Sequence, residues 1–306
     1  MTLDMISMET IDLFNRFFKI DSTLHPHVSV MDITAQREYM CIPLRIGFYA
    51  IALTAYRQEH IVYGRTNCDY SDGTLLFFAP GDVFHIDHPD FLSNITLLVF
   101  HKDLIEGLSL GLHIGDYSFF DYYKQEALHL SCREKTLILQ HFEDIQNELG
   151  RPIDRHSRVL LCKNIELLLN HCVRFYERQF IIREEENKSY LRKFESMLDE
   201  YVVSDNVSTN IPYLTKCCAE RLHMSTAYLK DLLIFETGKA VSEHFQSKRL
   251  EVSKGMLLRP DVPVNVVAEK LGYSSVQQFS RFFKLATGMA PQDYRLFYGK
   301  GVQSIS

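Results

Sequence analysis

Two stretches in the C-terminal third, 219–238 and 268–288, place side chains at helical spacing whose chemistry suits a polyanion. In the first, Thr226, Ala227, Lys230 and Asp231 share an outer face; in the second, Val276, Gln277, Ser280 and Arg281 do so. A guanidinium carries two parallel donors that match the O6 and N7 of guanine, so Arg281 can make a bidentate base contact. The Gln277 amide can pair with adenine in the same manner, and the Lys230 ammonium suits a phosphate. A solvated face or contact to phosphate alone is the competing reading of Arg281 and of Lys284.

Residues able to carry catalysis or hold a metal do not form a comparable pattern. From His27 to Phe100 there is no His-x-His pair, and His85 and His88, three apart, would point to opposite faces of a strand. No metal site, no cofactor and no enzymatic activity are expected. The seven cysteines (41, 68, 132, 162, 172, 217 and 218) include no CxxC pair, which favours reduced thiols, most of them in cores.

The elements that must position the polar faces come from an internal duplication. AERLHMSTAYLKDLLIFETG (219–238) aligns with AEKLGYSSVQQFSRFFKLATG (268–288), with one extra residue near the turn of the second copy. Each copy reads as helix, turn, helix. Ala219 and Ala268 permit close helix crossing. The turn contains His223-Met224 or Gly272, and Ser225 or Ser274 is expected as the N-cap of the second helix. That helix buries Leu229, Leu232 and Leu233, or Phe279, Phe282 and Phe283. Between the copies, Val241 to Leu258 reads as one continuous helix, opened by Ser242 or Gly238 and stopped before Pro260. A stiff connector of this kind would hold two recognition helices about one DNA turn, roughly 34 Å, apart.

These residues resemble the AraC/XylS family of transcription regulators. The likeness covers about 187–298: Ala219, Leu222, Ser225-x-x-x-Leu229 and Thr237-Gly238; Arg249-Leu250 and Leu257-Leu258; Val266-x-Ala268-x-x-x-Gly272-Tyr273; Phe279-Ser280-Arg281-Phe282-Phe283-Lys284 and Gly288-x-x-Pro291-x-x-Tyr294-Arg295. The resemblance implies DNA contacts on Thr226, Ala227, Lys230 and Asp231 and on Ser275, Val276, Gln277, Ser280, Arg281 and Lys284. Asp231 departs from the basic or amide residue common there; it would accept from a cytosine amino group or orient a neighbouring cation. The family plan further implies an α+β chain of two domains. A double-stranded β-helix (cupin-like) sensor barrel with a helical hairpin comes first, then an all-α domain of two helix-turn-helix units joined by a linker helix. Partners implied are promoter double-stranded DNA, a small-molecule effector, RNA polymerase and a second copy of the chain, in the cytoplasm.

The rest of the sequence follows that order. HVSVMDI, LRIGFYAIALTAY, HIVYG, GTLLFFA, VFHI and ITLLVF are strand-like runs between about 27 and 100, broken by Ser71-Asp72-Gly73 and Pro80-Gly81-Asp82. Helical spacing takes over from about 119 to 182, in two segments separated by Gly150-Arg151-Pro152. The second, about Asp154 to Phe180, would either pair two subunits or pack on the barrel. The charge-dense 183–188 is the expected linker, giving domains over 1–182 and 189–306. Charge is split accordingly: residues 1–186 hold 17 Lys and Arg against 27 Asp and Glu, whereas 187–306 hold 16 against 12, so a net charge of −6 hides a basic C-terminal part. The acidic N-terminal residues Asp4, Glu9 and Asp12 do not read as a signal peptide, and no apolar run is long enough to cross a membrane. An effector pocket would draw on Phe48, Tyr49, Tyr56, Tyr63, Phe77 and Phe84, which could equally be barrel core. Two other readings remain open: a metal-dependent cupin enzyme with an accessory DNA module, and a dimeric regulator that needs no ligand.

Overall fold

A computed structural model describes residues 5–20, 22–33, 42–54, 73–84, 95–204 and 210–299. The chain divides into two compact units, 1–184 and 185–306.

In the first unit the β-branched and aromatic runs form strands, each with one face turned to a shared core. Strands β1 (Ile6–Met8), β3 (Leu44–Ile46) and β6 (Val83–Phe84) make a three-stranded sheet. A five-stranded sheet has the order β2 (Val28–Ile33), β7 (Ile95–Phe100), β4 (Tyr49–Thr54), β5 (Gly73–Phe78) and β8 (Leu128–Leu130). Alternation sorts the side chains. Met31, Ala50, Ala52, Leu76, Phe78, Leu97 and Val99 meet Met8, Ile46, Phe48 and Phe84 in one apolar cluster. Helix α1 (Ile11–Phe17), capped by Thr10, adds Ile11 and Phe14 to it. Helix α1, β1 and β8 were not anticipated, because each is too short to show a period.

The expected closed barrel is not what the described strands show: no ladder joins the two sheets among them. The predicted strand HIVYG, the turn residues Ser71 and Asp72, and His85 and His88 lie outside the described residues. Behind the large sheet stand α4 (Cys132–Leu149) and α5 (Ser157–Ile182), the anticipated helical hairpin, which pack on each other and on the edge strands β2 and β8. Leu53, Leu75, Phe77, Leu98 and Phe100 are buried on that side. The sheet is therefore apolar on both faces, which explains its near-continuous hydrophobic runs. No helix of the described residues is long and apolar enough to cross a membrane.

The second unit is helical: α6 (Glu184–Val203), α7 (Ile211–Leu222), α8 (Thr226–Thr237), α9 (Val241–Leu257), α10 (Val264–Lys270), α11 (Val276–Thr287) and α12 (Pro291–Tyr298). The division between the units falls within the charge-dense 183–188; only Arg183 stands between α5 and α6, and helix resumes at Glu184. Three consecutive glutamates suit a helix N-terminus, where the exposed N–H groups and the dipole favour negative charge. One expectation is corrected at α9, which neither Ser242 nor Gly238 opens. The Glu243 carboxylate accepts the Ala240 N–H at 2.7 Å, while Gly238 is the left-handed C-cap of α8, with φ 68°.

Candidate nucleic-acid interface

The two copies of the repeat fold alike, down to their caps. In the first, α7 ends where His223 adopts the left-handed conformation (φ 57°), and the Met224 N–H donates to the Ala219 carbonyl at 3.0 Å. In the second, Gly272 takes that role (φ 72°), and the Tyr273 N–H donates to the Ala268 carbonyl at 2.9 Å. Such a left-handed cap reverses the chain within three residues and leaves the next helix crossing the first. Ala219 and Ala268 are both buried in the crossing, as their small size requires.

Helix α8 begins with Ser225, whose hydroxyl accepts the Tyr228 N–H at 3.0 Å. In α11 the cap is Ser275 and not Ser274: the Ser275 hydroxyl accepts the Gln278 N–H at 3.1 Å. The extra residue of the second copy lies before the cap, so Ser225 corresponds to Ser275. Ser274 instead gives its N–H and hydroxyl to the Gln278 side-chain carbonyl, at 3.1 and 2.9 Å. Each second helix also stops in the same way. Thr237 and Thr287 donate to carbonyls one turn back, and Gly238 and Gly288 form left-handed caps.

Leu229, Leu232 and Leu233 are fully buried, as are Phe279 and Phe283. Phe282, also expected inside, is only half-buried and lies against Tyr273, with ring centroids 5.7 Å apart. With these residues turned inward, the candidate contacts face outward. Thr226 and Lys230 are exposed and Ala227 and Asp231 half-buried; Ser275, Gln277, Arg281 and Lys284 are exposed, Val276 and Ser280 half-buried. Gln277, Ser280, Arg281 and Lys284 stand at i, i+3, i+4 and i+7 and so form one stripe along α11. No hydrogen bond or ion pair to another described residue engages the side chain of Lys230, Gln277, Arg281 or Lys284, whereas Arg221, Lys248 and Arg295 are committed elsewhere. Arg221 pairs with Glu200, Lys248 with Asp199 and Glu251. Arg295 donates to the Leu257 carbonyl at 2.9 Å and to that of Val262, tying α12 to the end of α9.

The connector helix grips both copies. With 17 residues, α9 is about 25 Å long at 1.5 Å per residue. Near its start, His244 Nε2 lies 2.9 Å from the Thr237 hydroxyl at the end of α8. Near its middle, the Arg249 guanidinium lies over the Tyr273 ring at 3.6 Å, and Arg249 is only 2% exposed. Its Nε and Nη2 find no hydrogen-bond partner among the described residues, so the ring face is its main counterpart. Burial pushes the Tyr273 hydroxyl up to about 12, with the adjacent guanidinium opposing the shift. Sequence reading placed Arg249 within the family pattern without a role; nothing in its spacing showed that it would be buried.

The four candidate effector residues that are described do not share one side of the large sheet. Phe48 and Phe84 lie between the two sheets, each edge-on to Phe14. Tyr49 and Phe77 lie on the opposite face, against Phe120. Tyr56 and Tyr63 fall outside the described residues.

Comparison with known proteins gives a family match that includes the repeat. Residues 218–296 match the family model described as a helix-turn-helix domain. Over 77 residues, 25% of this chain and 10% of the relative, the sequence is 39% identical to the uncharacterized HTH-type transcriptional regulator YtdP of Bacillus subtilis (strain 168). Over 80 residues, 26% of this chain and 33% of the relative, it is 36% identical to YobQ, a regulator of the same description and organism. The chain thus spans between a tenth and a third of the length of these curated relatives. Among solved structures, a transcriptional regulator of Chromobacterium violaceum, described among AraC-type DNA-binding domain-containing proteins, is 18% identical; the match covers 37% of this chain and 94% of that one, with a TM-score of 0.32.

Proposed function

We propose that this chain, whose C-terminal unit carries an AraC-type helix-turn-helix domain, is a sequence-specific DNA-binding transcription regulator. The observation that carries the proposal is the duplicated, similarly capped recognition helix, with Gln277, Ser280, Arg281 and Lys284 on one accessible stripe and Thr226, Ala227, Lys230 and Asp231 at the equivalent face. A capped helix holds such side chains in register, and uncommitted donors can meet base edges and phosphates without first breaking an internal bond. In this reading α9 sets the spacing that lets α8 and α11 enter successive major grooves on one side of the duplex.

The finer parts of the proposal rest on the resemblance. The N-terminal unit, a cupin-like sensor, would bind a small-molecule effector and pair with a second copy, and the regulator would act in the cytoplasm as an activator through RNA polymerase. Val159, Leu160, Leu167 and Ile181 are large apolar residues exposed on α5, which suits the pairing role.

The test is selection of genomic fragments by the full-length protein at two salt concentrations, followed by sequencing. The expected result is a few promoter fragments sharing two half-sites about one helical turn apart, with retention that weakens steeply as salt rises. Recovery of random fragments at every salt concentration would refute sequence-specific regulation.

A further inference from the structure

One cluster of ligating side chains stands apart from the repeat, and the large sheet assembles it. Val28 and Phe100 pair at the end of the β2–β7 ladder. One step beyond, the His101 N–H donates to the His27 carbonyl at 2.8 Å, so the two histidines face each other across the ladder's end. Their rings lie 29° from parallel, with centroids 5.9 Å apart. The chain then enters α2 (Lys102–Ile105), whose first turn carries Asp103. An Asp103 carboxylate oxygen lies 3.2 Å from His101 Nδ1, and one ligand atom from each of His27, His101 and Asp103 falls within 4.8 Å of the others.

We propose that His27, His101 and Asp103 bind a divalent transition-metal ion of the zinc type. His101 Nδ1 has a single lone pair, which accepts the Asp103 backbone N–H at a long 3.3 Å, while the Asp103 carboxylate 3.2 Å away offers only lone pairs. A metal ion between the two acceptors would take that lone pair in place of the long cap bond. A proton could serve those two acceptors; three acceptors converging from two strand ends and a helix start suit a metal ion. Tetrahedral bonds of about 2.1 Å set ligand atoms about 3.4 Å apart, close to the His101–Asp103 separation. The remaining distances close by rotation of an exposed carboxylate and of half-buried rings. Two imidazoles with one carboxylate favour zinc, cobalt or nickel over magnesium or calcium. Three protein ligands leave a coordination position for water.

Such an ion would clasp the start of β2, the end of β7 and the N-terminus of α2. Helix α5 already holds α2 from the other side, with Arg158 donating to the carbonyls of Asp103 and Leu104 at 3.1 and 2.8 Å. Occupancy would therefore stiffen the junction between the sheet and the helical hairpin.

The experiment uses the full-length protein stripped with a chelator, titrated with zinc chloride by calorimetry and with cobalt chloride by visible absorption. His27→Gln keeps the α2 cap intact, and Asp103→Asn is the second variant. The expected outcome is one equivalent bound by the parent, a higher melting temperature, a cobalt spectrum without thiolate charge transfer, and affinity lowered about tenfold or more in either folded variant. Absence of zinc binding at micromolar concentration would overturn the proposal. So would binding that both variants retain in full, or a cobalt–thiolate band, since either would move the ion to the cysteines or other histidines.

Discussion

The guanidinium carbon of Arg249 sits 3.6 Å from the centroid of the Tyr273 ring, joining the middle of the connector helix to the turn of the second helix-turn-helix. Each residue supplies what the other lacks: a π face for a desolvated cation, and a cation over a ring whose hydroxyl has no hydrogen-bond partner among the described residues. A double-mutant cycle with Arg249→Met and Tyr273→Leu, read by urea unfolding, should give a coupling of about 1–2 kcal/mol. Additive losses would show the contact to be incidental.

The left-handed turns lead to opposite expectations for two substitutions. Gly272 has φ 72° and His223 has φ 57°. A side chain in that conformation costs roughly 1–2 kcal/mol, so Gly272→Ala should destabilise the unit by about that amount. His223→Gly should relieve strain and be neutral or stabilising, because the glycine's greater freedom when unfolded offsets part of the gain. Thermal unfolding checks the signs; two losses of equal size would contradict the strain argument.

On the exposed stripe of α11, Arg281→Ala should weaken binding to a selected site by about 1–3 kcal/mol and relax preference at a single base pair, if the guanidinium reads guanine. Competition binding across a set of single-base variants distinguishes this from a phosphate contact, which would weaken all sequences alike. Lys230→Ala is expected to follow the second pattern and to reduce the salt slope by about 1.

Acid should weaken the first unit through His129. Burial, reinforced by the nearby Arg183 and Arg178, lowers its pKa from 6.5 to about 4. The unfolded chain therefore takes up a proton first. The contribution is fully present above pH 6.5 and falls as pH drops from there toward 4, by on the order of 3 kcal/mol in total. His129→Gln should flatten the stability profile across that window; parallel profiles for parent and variant would assign the acid sensitivity elsewhere.

Thiol reactivity should follow burial. Desolvation pushes Cys162 and Cys218 up to about 11 and raises Cys172 further, whereas Cys132 is exposed. Native-state alkylation mapped by mass spectrometry should modify Cys132 well before those three. Early modification of Cys172 would indicate local opening of α5.

Much of the second unit was legible because its information is local. The spacing of Leu229, Leu232 and Leu233 fixes which way α8 faces, and Thr237-Gly238 and Thr287-Gly288 mark both helix ends within a few residues. Even there, the cap at Ser275 escaped, because a one-residue insertion can be placed on either side of Ser274 until hydrogen bonds decide it. The charge run at 183–188 holds the division of the chain, but that helix resumes at Glu184 was not legible, because a charge run suits a solvated segment and a helix N-terminus equally.

By itself, then, the sequence determined the duplicated helix-turn-helix, its outward polar faces and the strand-then-helix order, all set by side-chain periodicity and caps within a turn or two. Only the tertiary structure decided what depends on distant pairing. It put Phe48 and Phe84 on one face of the large sheet and Tyr49 and Phe77 on the other, sealed Arg249 against Tyr273, and set His27 opposite His101. The last pair is 74 positions apart in the chain. A strand's period says which residues share a face, but the partner across the ladder is chosen by the register of the whole sheet, which no short stretch of sequence contains.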